Sequence, residues 1–126
     1  MRETLRSADR ELAAVMDCAW EPEAAHEVLT SALAGGARPS VVVTMNDRIA
    51  LGAYQAVADA GLRIRDDLSV LAFEGSSLAR WLRPELTTVD RQLRAMGQRA
   101  IEQLLAPEPP RGTTPLPMEL SVRGSA

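Results

Sequence analysis

The 126-residue chain has no lysine, one cysteine, one histidine and four aromatic side chains: two tryptophans, one tyrosine and one phenylalanine. Each scarcity excludes something. Cys18 alone cannot close an intrachain disulfide, and a single cysteine with a single histidine, His26, cannot build a zinc cluster. No run approaches the roughly 18 apolar residues of a membrane span. The first ten residues, Met1 to Arg10, are charged and lack the apolar core of a signal peptide. A net charge of -3 offers no platform for nucleic acid, because phosphate binding needs clustered cations that displace condensed counterions. There is no Gly-x-Ser-x-Gly elbow, P-loop, Gly-x-Gly-x-x-Gly or set of paired metal ligands. These absences predict a cytoplasmic, non-enzymatic protein with no metal, no cofactor, no membrane contact and no grip on DNA through these residues.

What remains is an ordinary globular composition, 46% hydrophobic and 25% charged, with the length of one domain. The exclusive use of arginine among 14 basic residues reads as coding bias rather than guanidinium chemistry. Residues 1–10 read as the end of a helix, and Leu12 to Cys18 as a short buried strand. Glu21-Pro22-Glu23 opens a helix, since proline suits a first turn and carboxylates favour the positive end of the dipole. Ala25, Val28, Leu29, Ala32 and Leu33 recur at helical spacing, and Gly35-Gly36 stops the run. Ser40 to Thr44 is a β-branched strand without alternation, the pattern of a parallel strand covered on both faces. A helix over Asp47 to Ala60 follows, closed by Gly61-Leu62 in a Schellman cap. It carries two apolar stripes, one with Ile49, Ala53 and Val57 and one with Leu51, Tyr54 and Ala58, which predicts burial on two sides.

Leu68 to Phe73 is a third strand, and Leu78 to Pro84 a loop with large apolar side chains. Leu86 to Val89 is extended, and Arg91 to Leu105 is a helix with Leu93, Met96, Ala100, Ile101 and Leu104 as its stripe. Pro107, Pro109 and Pro110 make a stiff linker, and Leu116 to Val122 alternates as an edge strand does. Strands and helices in this order predict an α/β fold of parallel βαβ units, in which ligands bind at the carboxyl ends of the strands. Trp20, Asn46 and Glu74 each follow a predicted strand and would share that rim. Asn46 is either an N-cap or a donor and acceptor for a hydroxylated ligand, with Asp47 or the backbone capping instead. Glu74 is either a solvated turn carboxylate or an acceptor of two sugar hydroxyls. Trp20 is either a plain aromatic or an indole that packs on a sugar ring.

Pro39 to Ala53, with Val-Val-Val-Thr-Met-Asn-Asp-Arg-Ile-Ala-Leu-Gly at its centre, is followed by Ala60 to Phe73 and Pro84 to Val89. In this order and spacing the three motifs resemble the effector-binding core of LacI/GalR-type transcriptional regulators, from about Ala14 to Arg123. The resemblance implies a periplasmic-binding-protein-like (type I) lobe with α/β/α layers. Residues 1–85 would be the C-terminal lobe, 86–106 a crossover and a helix that packs on the other lobe, and 107–126 a linker and returning strand. No DNA-binding domain would lie within the chain. Asn46 matches a ligand-binding asparagine, Glu74 falls where an aspartate binds sugar hydroxyls, and Trp20 falls where an aromatic lines the pocket. Glu74-Gly75 departs from the usual Asp-Asp, so the carboxylate reaches one methylene further, and Ala19 stands where an aspartate is often found.

The resemblance further implies a homodimer, with Leu51, Tyr54, Trp81 and Leu82 at its interface and Gly52 allowing close helix approach. It implies a sugar, polyol or nucleoside effector, and DNA binding only through a helix-turn-helix outside these residues. A solute-binding protein of the same fold and a small flavodoxin-like enzyme are the alternatives. The first would need a signal peptide, and the second a phosphate loop or catalytic cluster.

Overall fold

The computed structural model describes residues 2–108 and 111–126, so Pro109 and Pro110 of the expected linker lie outside the described residues. The elements are α1 (Arg2–Ser7), α2 (Pro22–Ala34), β1 (Val41–Thr44), α3 (Asp47–Asp59), β2 (Ser69–Glu74), a 3-10 turn (Ser77–Arg80), β3 (Thr87–Asp90), α4 (Leu93–Leu105) and β4 (Glu119–Ser121). One four-stranded sheet runs in the order β1-β2-β3-β4. The first two pairings are parallel, with Val42 opposite Val70 and Ala72 opposite Thr88. β4 closes the far edge antiparallel to β3. A mostly parallel sheet with helical crossovers is the architecture expected from the strand–helix alternation.

Both main helices end as their glycines dictate. After α3 the Leu62 amide donates to the Val57 carbonyl and the Gly61 amide to that of Ala58, at 3.0 and 2.9 Å. This is the Schellman pair, with Gly61 at φ +70° as the left-handed residue. Gly52 has a different task. A Cβ there would lie 1.9 Å from the Pro22 carbonyl oxygen, so the missing side chain is what lets the first turn of α2 rest on α3. The close approach expected at Gly52 is thus made within the chain.

The core gathers Leu29 and Leu33 of α2, Ala50, Ala53, Tyr54, Ala56 and Val57 of α3, Val42 and Val70 of the sheet, and Leu82 and Leu86. Burial on this face of the sheet is what holds the layers together, at roughly 25 cal/mol per Å² of apolar surface removed from water. The opposite face is open. β1 alternates, with Val42 and Thr44 buried but Val41 and Val43 50% and 39% exposed. The expectation of cover on both faces is therefore corrected: among the described residues the helical layer lies on one side. α4 buries none of its residues.

One other expectation is corrected. Leu12 to Cys18 forms no strand, and Val15 is 63% exposed. Only Val15 in that run is β-branched, and the alanines and Asp17 contribute little strand propensity. With no covered surface beside β1 there is also no burial to offset the cost of ordering the run. The extended segment expected over Leu86 to Val89 is β3, paired to β2 and β4.

Candidate ligand-binding rim

β1 and β2 run parallel, so their carboxyl ends open on the same side of the sheet, and each delivers one polar residue there. Asn46 follows β1 with an extended backbone, and its Oδ1 accepts the Ile49 amide at 2.7 Å. It is therefore the N-cap of α3, a role worth about 1 kcal/mol. The reading in which Asp47 caps and Asn46 stays free is reversed. Capping uses only the oxygen, and no protein partner engages the Asn46 Nδ2 among the described residues.

Asp47 lies fully buried. Its Oδ2 accepts both the Ser76 amide (2.7 Å) and the Ser76 hydroxyl (2.8 Å), and its Oδ1 accepts the Thr88 hydroxyl (2.9 Å). One carboxylate thus ties the start of α3 to the turn after β2 and to β3. Thr88 Oγ1 in turn accepts the Gly75 amide at 3.3 Å. Gly75 stands at φ +76° with Asp90 so close that a Cβ would meet its side chain at 2.7 Å. That packing fixes the turn in which Glu74 begins.

Glu74 is held from two sides. The Asp47 amide donates to Oε2 at 3.3 Å, while Arg91 Nη2 reaches Oε1 only at 3.5 Å. The Arg91 amide also donates to the Glu74 carbonyl at 3.4 Å. Glu74 is thus part of a framed rim, and Oε1 is its less committed oxygen. Arg91 was not among the sequence candidates. Its signal was its place directly after a strand, at the same end of the sheet as Asn46 and Glu74. The buried network behind the rim, Asp47 with Ser76 and Thr88, had no signal in local sequence, because its members meet only through the sheet.

The structure brings Asn46 and Glu74 together through Asp47, whereas Trp20 stands apart. Trp20 is 60% exposed and lines a cavity of about 260 Å³ beside β1 with Met16, Cys18, Leu29, Val43 and Met45. Neither Asn46 nor Glu74 lines that cavity. Because no strand forms over Leu12 to Cys18, no strand end delivers the indole to the rim. No group of three or more metal-ligating side chains is assembled among the described residues, and no helix there is long and apolar enough to cross a membrane.

The residues expected at an interface divide. Tyr54 and Leu82 are buried in the core of the chain itself, and the Tyr54 hydroxyl donates to the Pro84 carbonyl at 2.9 Å. Burial pushes the Tyr54 phenol above its ordinary 10.0, with the Ser125 hydroxyl acting in the opposite direction. Leu51 packs partly against the core, and Trp81 is 76% exposed. Leu51 and Trp81 are thus the two of the four with surface to offer.

Comparison with known proteins follows the same lines as the geometry. A family model described as a periplasmic binding protein-like domain matches residues 2–126. The ribose operon repressor of Haemophilus influenzae is 42% identical over 77 residues, 61% of this chain and 23% of the relative. The HTH-type transcriptional repressor PurR of Mannheimia succiniciproducens is 34% identical over 110 residues, 84% of this chain and 33% of the relative. Among solved structures, a dimeric Lac repressor superposes with a TM-score of 0.93 at 26% identity, covering 98% of this chain and 47% of that one. A LacI family regulator from Arthrobacter sp. FB24, in complex with lactose, gives 0.88 at 25% identity, with 98% and 48% covered. The chain thus spans about a quarter to a third of the curated relatives and about half of the solved chains.

Proposed function

The chain belongs to the periplasmic binding protein-like domain family, in the form found in LacI-type transcriptional regulators, and from that premise we propose that it is the effector-binding and dimerisation portion of such a regulator. The observation that carries this reading is the rim. Asn46 and Glu74 stand at the carboxyl ends of neighbouring parallel strands, where open α/β sheets receive ligands. The Asn46 Nδ2 offers a donor and Glu74 Oε1 an acceptor, which suits the vicinal hydroxyls of a sugar, polyol or nucleoside. The lactose complex of the Arthrobacter relative and the name of the ribose operon repressor favour a sugar-like effector. Trp20 would pack against the ring once the segment before it closes on β1.

Operator binding would belong to a helix-turn-helix outside residues 1–126. The effector would act by binding one arrangement of the dimer better than another, which shifts DNA affinity through that difference alone. The test is a calorimetric melt of the chain with ribose, galactose, lactose and purine nucleosides, alongside Glu74→Gln. Ligand at a hundredfold excess over its dissociation constant stabilises by about 2.7 kcal/mol. The expected result is a rise with at least one sugar that Glu74→Gln abolishes. No rise with any of them, or an undiminished one in Glu74→Gln, refutes the assignment.

A further inference from the structure

Arg91 is the least engaged charged group at the rim. Glu74 of β2 pairs in register with Asp90 of β3, so Arg91 stands one residue beyond Glu74 at the same carboxyl edge of the sheet. Its guanidinium has a single polar contact among the described residues, that of Nη2 with Glu74 Oε1 at 3.5 Å. Nε is buried and meets no acceptor among those residues, which leaves one donor of a charged group both desolvated and unpaired. With 37% of its side chain exposed, the remainder of the group is open to a ligand.

Free donors outnumber free acceptors along this edge. The donors are Asn46 Nδ2 and the Arg91 nitrogens, and the acceptor facing them is Glu74 Oε1. Asp47 is spent on Ser76 and Thr88, while Asp90 turns Oδ1 to the Gln92 amide at 2.7 Å and packs against Gly75. A neutral polyol brings a proton with every oxygen and so leaves the excess of donors as it was, whereas a carboxylate only accepts. We propose that the effector is a sugar acid, its carboxylate held by Arg91 and a nearby hydroxyl donating to Glu74 Oε1, and that Arg91 sets the preference for acid over neutral sugar. The proposal rests on the ligand-rim reading above and narrows its ligand class. The two parallel N–H groups of a guanidinium match a carboxylate, in bonds about twice as strong as neutral ones. The ligand's hydroxyl proton separates its carboxylate from that of Glu74, so the two do not meet as bare anions. Glu74 Oε2 keeps its bond to the Asp47 amide throughout.

Isothermal titration calorimetry of the full chain tests this with pairs that differ only in the acid group: galacturonate and galactose, glucuronate and glucose, gluconate and glucitol, ribonate and ribitol. At least one acid should bind tenfold or more tighter than its neutral partner. Arg91→Gln should bring that pair to within about threefold of one another, and Arg91→Lys should keep part of the preference, since it retains the charge and loses the planar fork. Circular dichroism melts establish that the variants fold, and the ratio in the parent chain needs no variant. Neutral partners that bind as tightly as the acid in every pair overturn the proposal while leaving the ligand rim in place. An acid preference undiminished in Arg91→Gln likewise overturns the role of Arg91. Binding of neither member of any pair removes the rim reading and this proposal with it.

Discussion

Gly52→Ala should destabilise the protein, although alanine is the better helix former. The new Cβ would sit 1.9 Å from the Pro22 carbonyl oxygen, 2.8 Å from its carbon and 3.0 Å from the Ala25 Cβ. Carbon and oxygen settle at roughly 3.3 Å or more, so the first turn of α2 must retreat by more than an ångström. No rotamer relieves this, because the obstacle is backbone. The retreat draws Ala25 and Leu29 out of the core they share with Val42 and Val70. Overpacking of this kind costs about 1–3 kcal/mol, and the backbone contact argues for the upper end. The gain in helix propensity offsets about 1 kcal/mol, which leaves a net loss of about 2 kcal/mol. At about 2.1 cal/mol/K per residue, the 126 residues give a melting entropy near 0.26 kcal/mol/K, and hence a fall in Tm of about 8 °C. Differential scanning calorimetry reads this directly. Gly97→Ala is the control: nothing lies within 4 Å of a Cβ there, so α4 should gain from the same exchange. A Gly52→Ala protein melting at or above the parent would refute the close approach of α2 to α3.

Two further perturbations probe the frame behind the rim. Asp47→Asn turns an acceptor-only group into one with a donor, yet Asp47 Oδ2 accepts two donors from Ser76 and Oδ1 a third from Thr88. The amide keeps one oxygen for the two Ser76 donors but sets an N–H toward Thr88, whose hydroxyl must turn to accept it and leaves its own proton unpaired, and stability to urea should fall by about 1–3 kcal/mol; an unchanged midpoint would show that the buried carboxylate is not needed. Tyr54 is the only tyrosine, so phenolate absorbance in an alkaline titration reports on it alone. Because its folded pKa lies above 10.0, the stability it contributes is fully present below that pH and is lost as pH rises through the folded value. Tyr54→Phe should flatten that alkaline decline, and a phenolate forming at or below 10.0 would contradict the burial.

How far the sequence could be read depended on whether the determining contact was local. The two helix stops at Gly35-Gly36 and Gly61 were legible because a left-handed residue answers to its own backbone and the preceding turn. β1 was legible from its β-branched run and β2 from its short apolar run, each to within a residue at each end. Leu12 to Cys18 was misread because a short apolar run does not say whether anything will cover it. Tyr54 was placed at an interface because helical spacing separates stripes without saying which the 3-10 turn will cap, and Leu82 because an apolar side chain in a loop does not say whether the core will take it. Least legible was Ser125, which is fully buried near the chain's end. Its hydroxyl donates to the Val70 carbonyl at 2.6 Å and accepts the Thr87 amide at 2.8 Å. Its carbonyl accepts the Val70 amide at 2.9 Å. A serine between Gly124 and Ala126 carries no mark of bridging two strands that lie 38 and 55 residues away.

The division of labour at Asn46-Asp47 bears on what the rim could recognise. Had Asp47 capped α3, Asn46 would have been free to offer both a donor and an acceptor. With one lone pair of Oδ1 and its orientation committed to the Ile49 amide, Nδ2 is the group the residue has free, and Glu74 is the stronger acceptor beside it. There too one oxygen is engaged, by the amide of Asp47, while the other meets Arg91 at the limit of a hydrogen bond. The pair therefore offers one fixed donor and one acceptor on a longer, partly tethered arm. A ligand with two adjacent hydroxyls satisfies that set without disturbing the buried knot of Asp47, Ser76 and Thr88, whereas displacing Oε2 from the Asp47 amide would leave a donor without a partner at the helix start. That cost, about 1–3 kcal/mol for a desolvated donor, favours effectors that approach Glu74 from the Arg91 side.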